Sequence, residues 1–336
     1  MKLAVSLSQS RVALIGVALA CMSFAILVCP VGYTEDCPTR SCNFQRTGLV
    51  TDSGLAPPLV LKWSVDTTPW GAADPVLVVS PVVYDGTVYL AQRLDLRVLA
   101  FDALTGSVKW SKLASGNCKI GGEIFHPTVT KDGIFHFRWG DASFCTPWME
   151  SGVRRLDFDG NTVWRSEEKG YDLASGYSPL VCNGRVYATY VDYDKSPYKA
   201  YLAAIELATG GTAWRYEMPG TLPTRHSEWL WTPPAWDGRR IYVAGTVIAA
   251  LEDAGDHADV KWEYDWGPPL EPGGPAVANG RVYVQGDNNL YAIDKETGAL
   301  KWTFTCPPRM PAEAVSLAVA GRVVYILACQ YPTPSG

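Results

Sequence analysis

The sequence predicts an all-β fold: a β-propeller of about six four-stranded antiparallel blades, with the last blade incomplete or closed by an amino-terminal strand. Three observations predict it. The first is a recurring hairpin signal. Asp85-Gly86, Asp132-Gly133, Asn183-Gly184, Asp237-Gly238 and Asn279-Gly280 each stand shortly before an apolar–aromatic pair: Val88-Tyr89, Ile134-Phe135, Val186-Tyr187, Ile241-Tyr242 and Val282-Tyr283. A weaker copy runs from Gly321 to Val324-Tyr325. Such Asx-Gly pairs tolerate the positive φ of a tight hairpin turn. The second is a signature that ends each unit. Ala100-x-Asp102-x-x-Thr105-Gly106-x-x-x-Trp110 recurs at Ala204 to Trp214 (with Glu206 in the acidic position) and at Ala292 to Trp302. Degenerate copies end at Trp164 and Trp262, and Trp63 ends a unit with no unit before it. The third is the interval between these tryptophans, 47, 54, 50, 48 and 40 residues, which is the length of one blade.

One unit shows why each has four strands. From Gly274 to Trp302, Ala276-Val277 is a short apolar run, and Asn279-Gly280 turns the chain. Val282 to Gln285 alternates, Gly286 to Asn289 turns again, Leu290 to Ile293 is a third run, Thr297-Gly298 a third turn, and Ala299 to Trp302 a fourth run. A sheet this small cannot bury both faces alone, so copies must stack.

In chain order, residues 1–31 read as a signal peptide or membrane anchor. Lys2 and Arg11 precede an apolar run from Val12 to Val31, and Ala18-Leu19-Ala20-Cys21 loosely resembles a lipoprotein cleavage box. Residues 32–57 are a polar lead-in. The propeller spans 58–330, with complete units at about 78–114, 125–168, 177–218, 231–266 and 273–306 and a partial sixth at 315–328. Residues 331–336 are a tail. The sixth unit lacks a third strand. Residues 46–51 supplying it, a three-stranded last blade, and a fragmentary chain are the open alternatives.

Seven cysteines follow the apolar run, a number that fits an exported protein. No C-x-x-C pair and only four histidines argue for disulfides over zinc. The candidate pairs are Cys37–Cys42, Cys118–Cys145 and Cys306–Cys329, which leaves Cys182 as a buried free thiol.

The A-x-D-x-x-T-G-x-x-x-W signature resembles the tryptophan-docking repeat of the pyrroloquinoline-quinone (PQQ)-like β-propeller superfamily, over about residues 43–325. The segment Asn43-Phe-Gln-Arg46-Thr47-Gly48 is similar to the opener before the first blade in many secreted, cofactor-free members. The resemblance implies the fold. It spans quinone-dependent alcohol dehydrogenases as well as cofactor-free scaffolds. Those dehydrogenases pair two adjacent cysteines over the quinone, and this chain has no such pair. No G-x-S-x-G, H-E-x-x-H or glycine-rich phosphate loop is present either.

Trp63, Trp110, Trp164, Trp214, Trp262 and Trp302 are assigned to stability: a flat ring fills the wedge between twisted sheets and its N–H finds an acceptor. Function is expected in the loops that run from the last strand of one blade to the first of the next. There Glu123, Glu228, Glu271 and Glu313, with Asp74 and Asp172, are weak candidates for an acidic rim holding Ca²⁺. Trp70, Arg225, His226, Trp229, Trp231 and Trp266 are candidates for a partner or ligand surface.

A net charge of −5 without a basic stripe argues against nucleic acid. The expectation is an exported, non-catalytic binding or scaffold propeller of the cell envelope or exterior, without catalytic residues or a resident cofactor. It would hold a protein partner or small ligand on its loop face, and meet a membrane only through residues 12–31. The alternative is a quinone- or Ca²⁺-dependent oxidoreductase-like propeller, a degenerate one included, with PQQ or Ca²⁺ bound.

Overall fold

A computed structural model describes residues 2–6, 43–46, 61–66, 81–92, 97–113, 122–124, 126–140, 152–168, 178–192, 197–221, 232–267, 273–286, 289–305 and 317–326. Every regular element among them is a strand. The first blade pairs Val82–Tyr84, Thr87–Gln92, Arg97–Asp102 and Val108–Leu113 in sequence order. The third (Leu180–Cys182, Arg185–Asp192, Lys199–Glu206, Thr212–Glu217), fourth (Ala235–Trp236, Ile241–Ala244, Ile248–Asp253, Ala258–Tyr264) and fifth (Ala276–Ala278, Arg281–Gly286, Asn289–Asp294, Leu300–Thr305) repeat that order. All described pairings are antiparallel. First strands are buried and fourth strands largely exposed, so each blade runs from the axis outward.

The second blade departs from the pattern. Thr128–Thr130, Gly133–Gly140, Gly152–Leu156 and Thr162–Arg165 form the usual four strands, and Gly122–Ile124 adds a fifth along the far half of Gly133–Gly140. The stretch around Glu123 reads as loop in the sequence. Here its backbone is tied into the sheet, opposite Trp139.

The two sequence ladders meet within each blade. Tyr89 of the second strand and Trp110 of the fourth both lie opposite Ala100 of the third. The small alanine lets the two rings meet over it, with centroids 6.2 Å apart. Tyr187–Trp214, Tyr242–Trp262 and Tyr283–Trp302 repeat this across Ala204, Ala250 and Ala292, at 5.9–6.1 Å. In the second blade Phe135 and Trp164 meet across Arg155 instead.

Five of the signature tryptophans then reach the next blade. The indole N–H groups of Trp63, Trp110, Trp164 and Trp262 donate to the carbonyls of Ala103, Phe158, Leu207 and Lys295, all in the turn between third and fourth strands. Trp214 donates to the Asp253 carboxylate instead, at 2.9 Å. The signature acid builds the turn that receives the ring. Asp102 accepts from the Thr105 N–H and hydroxyl, and Asp294 from the same two groups of Thr297. Glycine follows because φ is +73° at Gly106, and because a Cβ there would stand 2.6 Å from the Trp63 ring.

Among the described residues the sixth blade is incomplete. Leu317–Ala320 and Val323–Ile326 form a two-stranded sheet beside the fifth blade. Leu61–Asp66 docks Trp63 on the first blade and pairs with Lys2–Ser6. That pairing sets Val5 opposite Trp63 and Ser6 opposite Leu61, with a register shift between them. The third and fourth strands of every complete blade show the same shift at the same place. Lys2–Ser6 therefore holds a third-strand register against Leu61–Asp66. Among the described residues no ladder joins these two strands to Val323–Ile326.

Candidate functional site

Residues 43–46 of the lead-in segment lie against the inner strands of the propeller. The Trp236 N–H donates to Phe44 O and the Val277 N–H to Gln45 O, each at 2.8 Å. Those two amides belong to the innermost strands of the fourth and fifth blades, on edges that no strand covers. Arg46 turns away with φ of +59° and is 4% exposed. Its Nε donates to Pro234 O at 3.2 Å and its Nη2 to Ser178 O at 3.0 Å, which bridges the fourth and third blades. Three consecutive residues, Phe44 to Arg46, thus bond to three blades, which places them at the inner strands. Phe44 packs against the cluster shared by the third and fourth blades. Sequence reasoning noticed this segment without a role for it, because a peptide held by strand edges carries no periodicity.

A layer of buried polar groups surrounds the inner strands. Thr128, Thr189 and Thr232 donate their hydroxyls to Pro179 O, Thr232 O and Ala244 O. His136 and Arg154 lie opposite each other in the second blade, 0% and 1% exposed, on the face toward the first blade. Burial, with Arg165 beside it, brings the Arg154 guanidinium down to about 9. Gln285 of the fifth blade is fully buried, and its side-chain amide has no hydrogen-bond partner among the described residues.

Most sequence candidates on the loop face lie outside the described residues: Trp70, Arg225, His226, Trp229 and Trp231 of the aromatic set, and Glu228, Glu271, Glu313, Asp74 and Asp172 of the acidic set. Glu123 is described in its backbone alone. Trp266 is in view and packed. Its ring meets Tyr291 edge-on at 5.5 Å, its N–H donates to Gly245 O at 3.1 Å, and it covers Gly286 so closely that a Cβ there would stand 2.7 Å away. Trp266 thus pins the loop after the fourth blade onto the fifth. Among the described residues no three His, Cys, Asp or Glu side chains gather to hold a metal.

The candidate disulfide pairs also lie outside the described residues. Cys182 is a buried free thiol, raised well above the ordinary thiol range by burial and by Asp253.

Tryptophan-docked four-stranded blades around an axis define a PQQ-like β-propeller. The chain belongs to the family whose model is described as outer membrane protein assembly factor BamB, which matches residues 149–328. It is also similar to the serine/threonine-protein kinase AfsK of Streptomyces griseus, 28% identical over 173 residues, covering 48% of this chain and 20% of that one. Quinohemoprotein alcohol dehydrogenase ADH IIB of Pseudomonas putida is 25% identical over 253 residues, covering 68% of this chain and 33% of that one. The chain therefore spans between a fifth and a third of the length of these curated relatives.

Among solved structures, the quinohemoprotein alcohol dehydrogenase of Comamonas testosteroni superposes with a TM-score of 0.61 at 17% identity, over 84% of this chain and 50% of that one. BamB of Moraxella catarrhalis superposes with a TM-score of 0.53 at 14% identity, over 80% and 74%. Both likenesses show the fold.

Proposed function

We propose that this protein is an exported, non-catalytic β-propeller that binds a partner protein through its loop face, in the cell envelope or outside the cell. The observation that carries the reading is the axial segment Phe44–Arg46. In this fold the axis is where a small cofactor would be cradled, and here the chain's own peptide bonds to it from three sides. Membership of a family named for an assembly factor favours a scaffold. Export rests on the leader at 1–31 and on the cysteine usage. Cleavage of that leader would remove Lys2–Ser6 and leave the Leu61–Asp66 edge open.

The second reading, an oxidoreductase-like propeller with PQQ or Ca²⁺ bound, draws on the likeness to quinohemoprotein alcohol dehydrogenases. Thermal unfolding of the purified chain, titrated with PQQ and Ca²⁺, separates the two. A ligand that binds only the native state raises the melting temperature. The scaffold reading expects no shift at saturating ligand. It also expects a photo-crosslinker at Trp229 to capture a partner that one at the opposite-face turn residue Asn183 does not. A ligand-dependent rise would sink the cofactor-free reading.

A further inference from the structure

Three seams between blades share a second fastening besides tryptophan, and among the described residues the seam between the first and second blades lacks it. Arg155 reaches from the second blade to Leu207 O in the turn of the third, at 3.2 Å. Arg185 reaches from the third to Gly255 O in the fourth, at 2.8 Å. Arg240 reaches from the fourth to Lys295 O in the fifth, at 2.8 Å. Leu207 O and Lys295 O each accept an arginine and a tryptophan together. Between the first and second blades the equivalent carbonyl, Phe158 O, accepts Trp110 at 2.7 Å, with no arginine beside it. The residue standing where Arg185 stands, directly after the Asx-Gly turn, is Thr87.

A cavity of about 540 Å³ opens at that seam, lined by Tyr84, Tyr89, Trp110 and Phe158 and by the acidic residues Asp85 and Asp159. Tyr84 and Phe158 stack across the seam at 6.1 Å and 6°. Two lysines also line it. Lys131 pairs with Asp132, and Lys109 donates to the Thr87 hydroxyl at 2.7 Å. Aromatic faces, an acceptor carbonyl with a lone pair to spare and two carboxylates are the environment a guanidinium selects. The protein itself reaches the receiving turn with a guanidinium at three other seams, from the position of Thr87 at two of them (Arg185, Arg240) and from the third strand at the other (Arg155).

We propose that the cavity between the first and second blades binds the guanidinium of an arginine side chain presented by a partner polypeptide, on the face opposite the inter-blade loops.

The test is calorimetric titration of the full chain with acetyl-Gly-Arg-Gly-amide, acetyl-arginine amide and the citrulline-containing peptide. Citrulline keeps the shape and removes the charge. The arginine peptide should bind saturably, and citrulline should weaken binding about tenfold through the lost cation–π and ionic contacts. Thr87→Arg should supply the missing bridge from within, raise the melting temperature and abolish peptide binding. Phe158→Ala removes an aromatic wall that is 42% exposed, and should weaken binding about tenfold. A peptide tighter than acetyl-arginine amide supports a polypeptide source, and equal affinities overturn it. No saturable binding, equal binding of citrulline, or binding indifferent to both variants overturns the proposal.

Discussion

The indole N–H of Trp164 donates to Leu207 O at 2.9 Å, across the seam between the second and third blades. Its ring lies so close to the receiving turn that a Cβ on Gly210 would stand 2.8 Å from Cε3, at a φ of +80°. Tryptophan and glycine are therefore one joint. Trp164→Ala should cost about 3–5 kcal/mol, the range for large-to-small truncation of a buried ring. Gly210→Ala should also destabilise, from strain and overlap together. Urea unfolding of both variants and the double variant checks this. Full additivity would show that the joint does not exist.

Trp302 ends a full copy of the signature but has no docking partner among the described residues. It is 37% exposed where Trp262 is 8%, because the sixth blade offers it no turn among the described residues. Leu300 and Phe304 beside it are 42% and 52% exposed. Trp302→Ala should cost at least about 1 kcal/mol less than Trp262→Ala, in proportion to the smaller area removed from water. Equal costs in parallel unfolding curves would mean that the sixth seam is closed in solution.

Arg46→Ala leaves Pro234 O and Ser178 O without their donor at the axis. Charged donors to buried carbonyls contribute about 1.5–3 kcal/mol each before compensation by water, so a loss of about 2 kcal/mol is expected. Hydrogen exchange at the Trp236 and Val277 amides, which the same segment caps, should speed up in step. Unchanged exchange there would argue that residues 43–46 do not hold the axis.

Acid should loosen the seam between the fourth and fifth blades. Burial alone would raise the Asp237 carboxyl, but the Arg240 and Arg239 N–H groups, Lys295 and the Tyr242 hydroxyl outweigh it and bring it from 3.8 to about 2. A carboxylate depressed in the folded state adds stability that is whole above its unfolded value and lost as pH falls through the folded one. The contribution of Asp237 is thus present above about pH 4 and gone near pH 2. Asp253, which ties Tyr187 and Trp214 to the turn of the fourth blade, is lowered as well and acts in the same direction. Asp237→Asn should flatten stability between pH 4 and 2, read by denaturant midpoints across that window. A variant as acid-sensitive as the parent would remove Asp237 from the account.

Cys182 should resist thiol reagents until the third blade opens. It is 8% exposed, and burial with the Asp253 charge disfavours the thiolate that would react. Labelling should follow unfolding in denaturant. Prompt labelling in buffer would contradict the packing of the third and fourth blades around it.

The repeat was legible because it is local. The Asx-Gly hairpins and the Ala-to-Trp signature each span a dozen residues, and the rings they place, Tyr89 and Trp110 among them, meet by register alone. Strand order inside a blade follows from turns too short for any other connection. The extra strand at Gly122–Ile124 was not legible, since its pairing with Gly133–Gly140 depends on where an outside segment comes to rest.

The sequence alone determined the fold class, the repeat and its tryptophans, and why glycine follows threonine in the turn. Only the tertiary structure decided what touches what across blades. It put Arg46 on the axis, pinned Trp266 over Gly286, and left Thr87 in a place where neighbouring seams carry arginine. The reason is physical. Turn and pleat are set within a few residues, whereas a seam joins groups tens of residues apart, and its chemistry exists only once the blades have stacked.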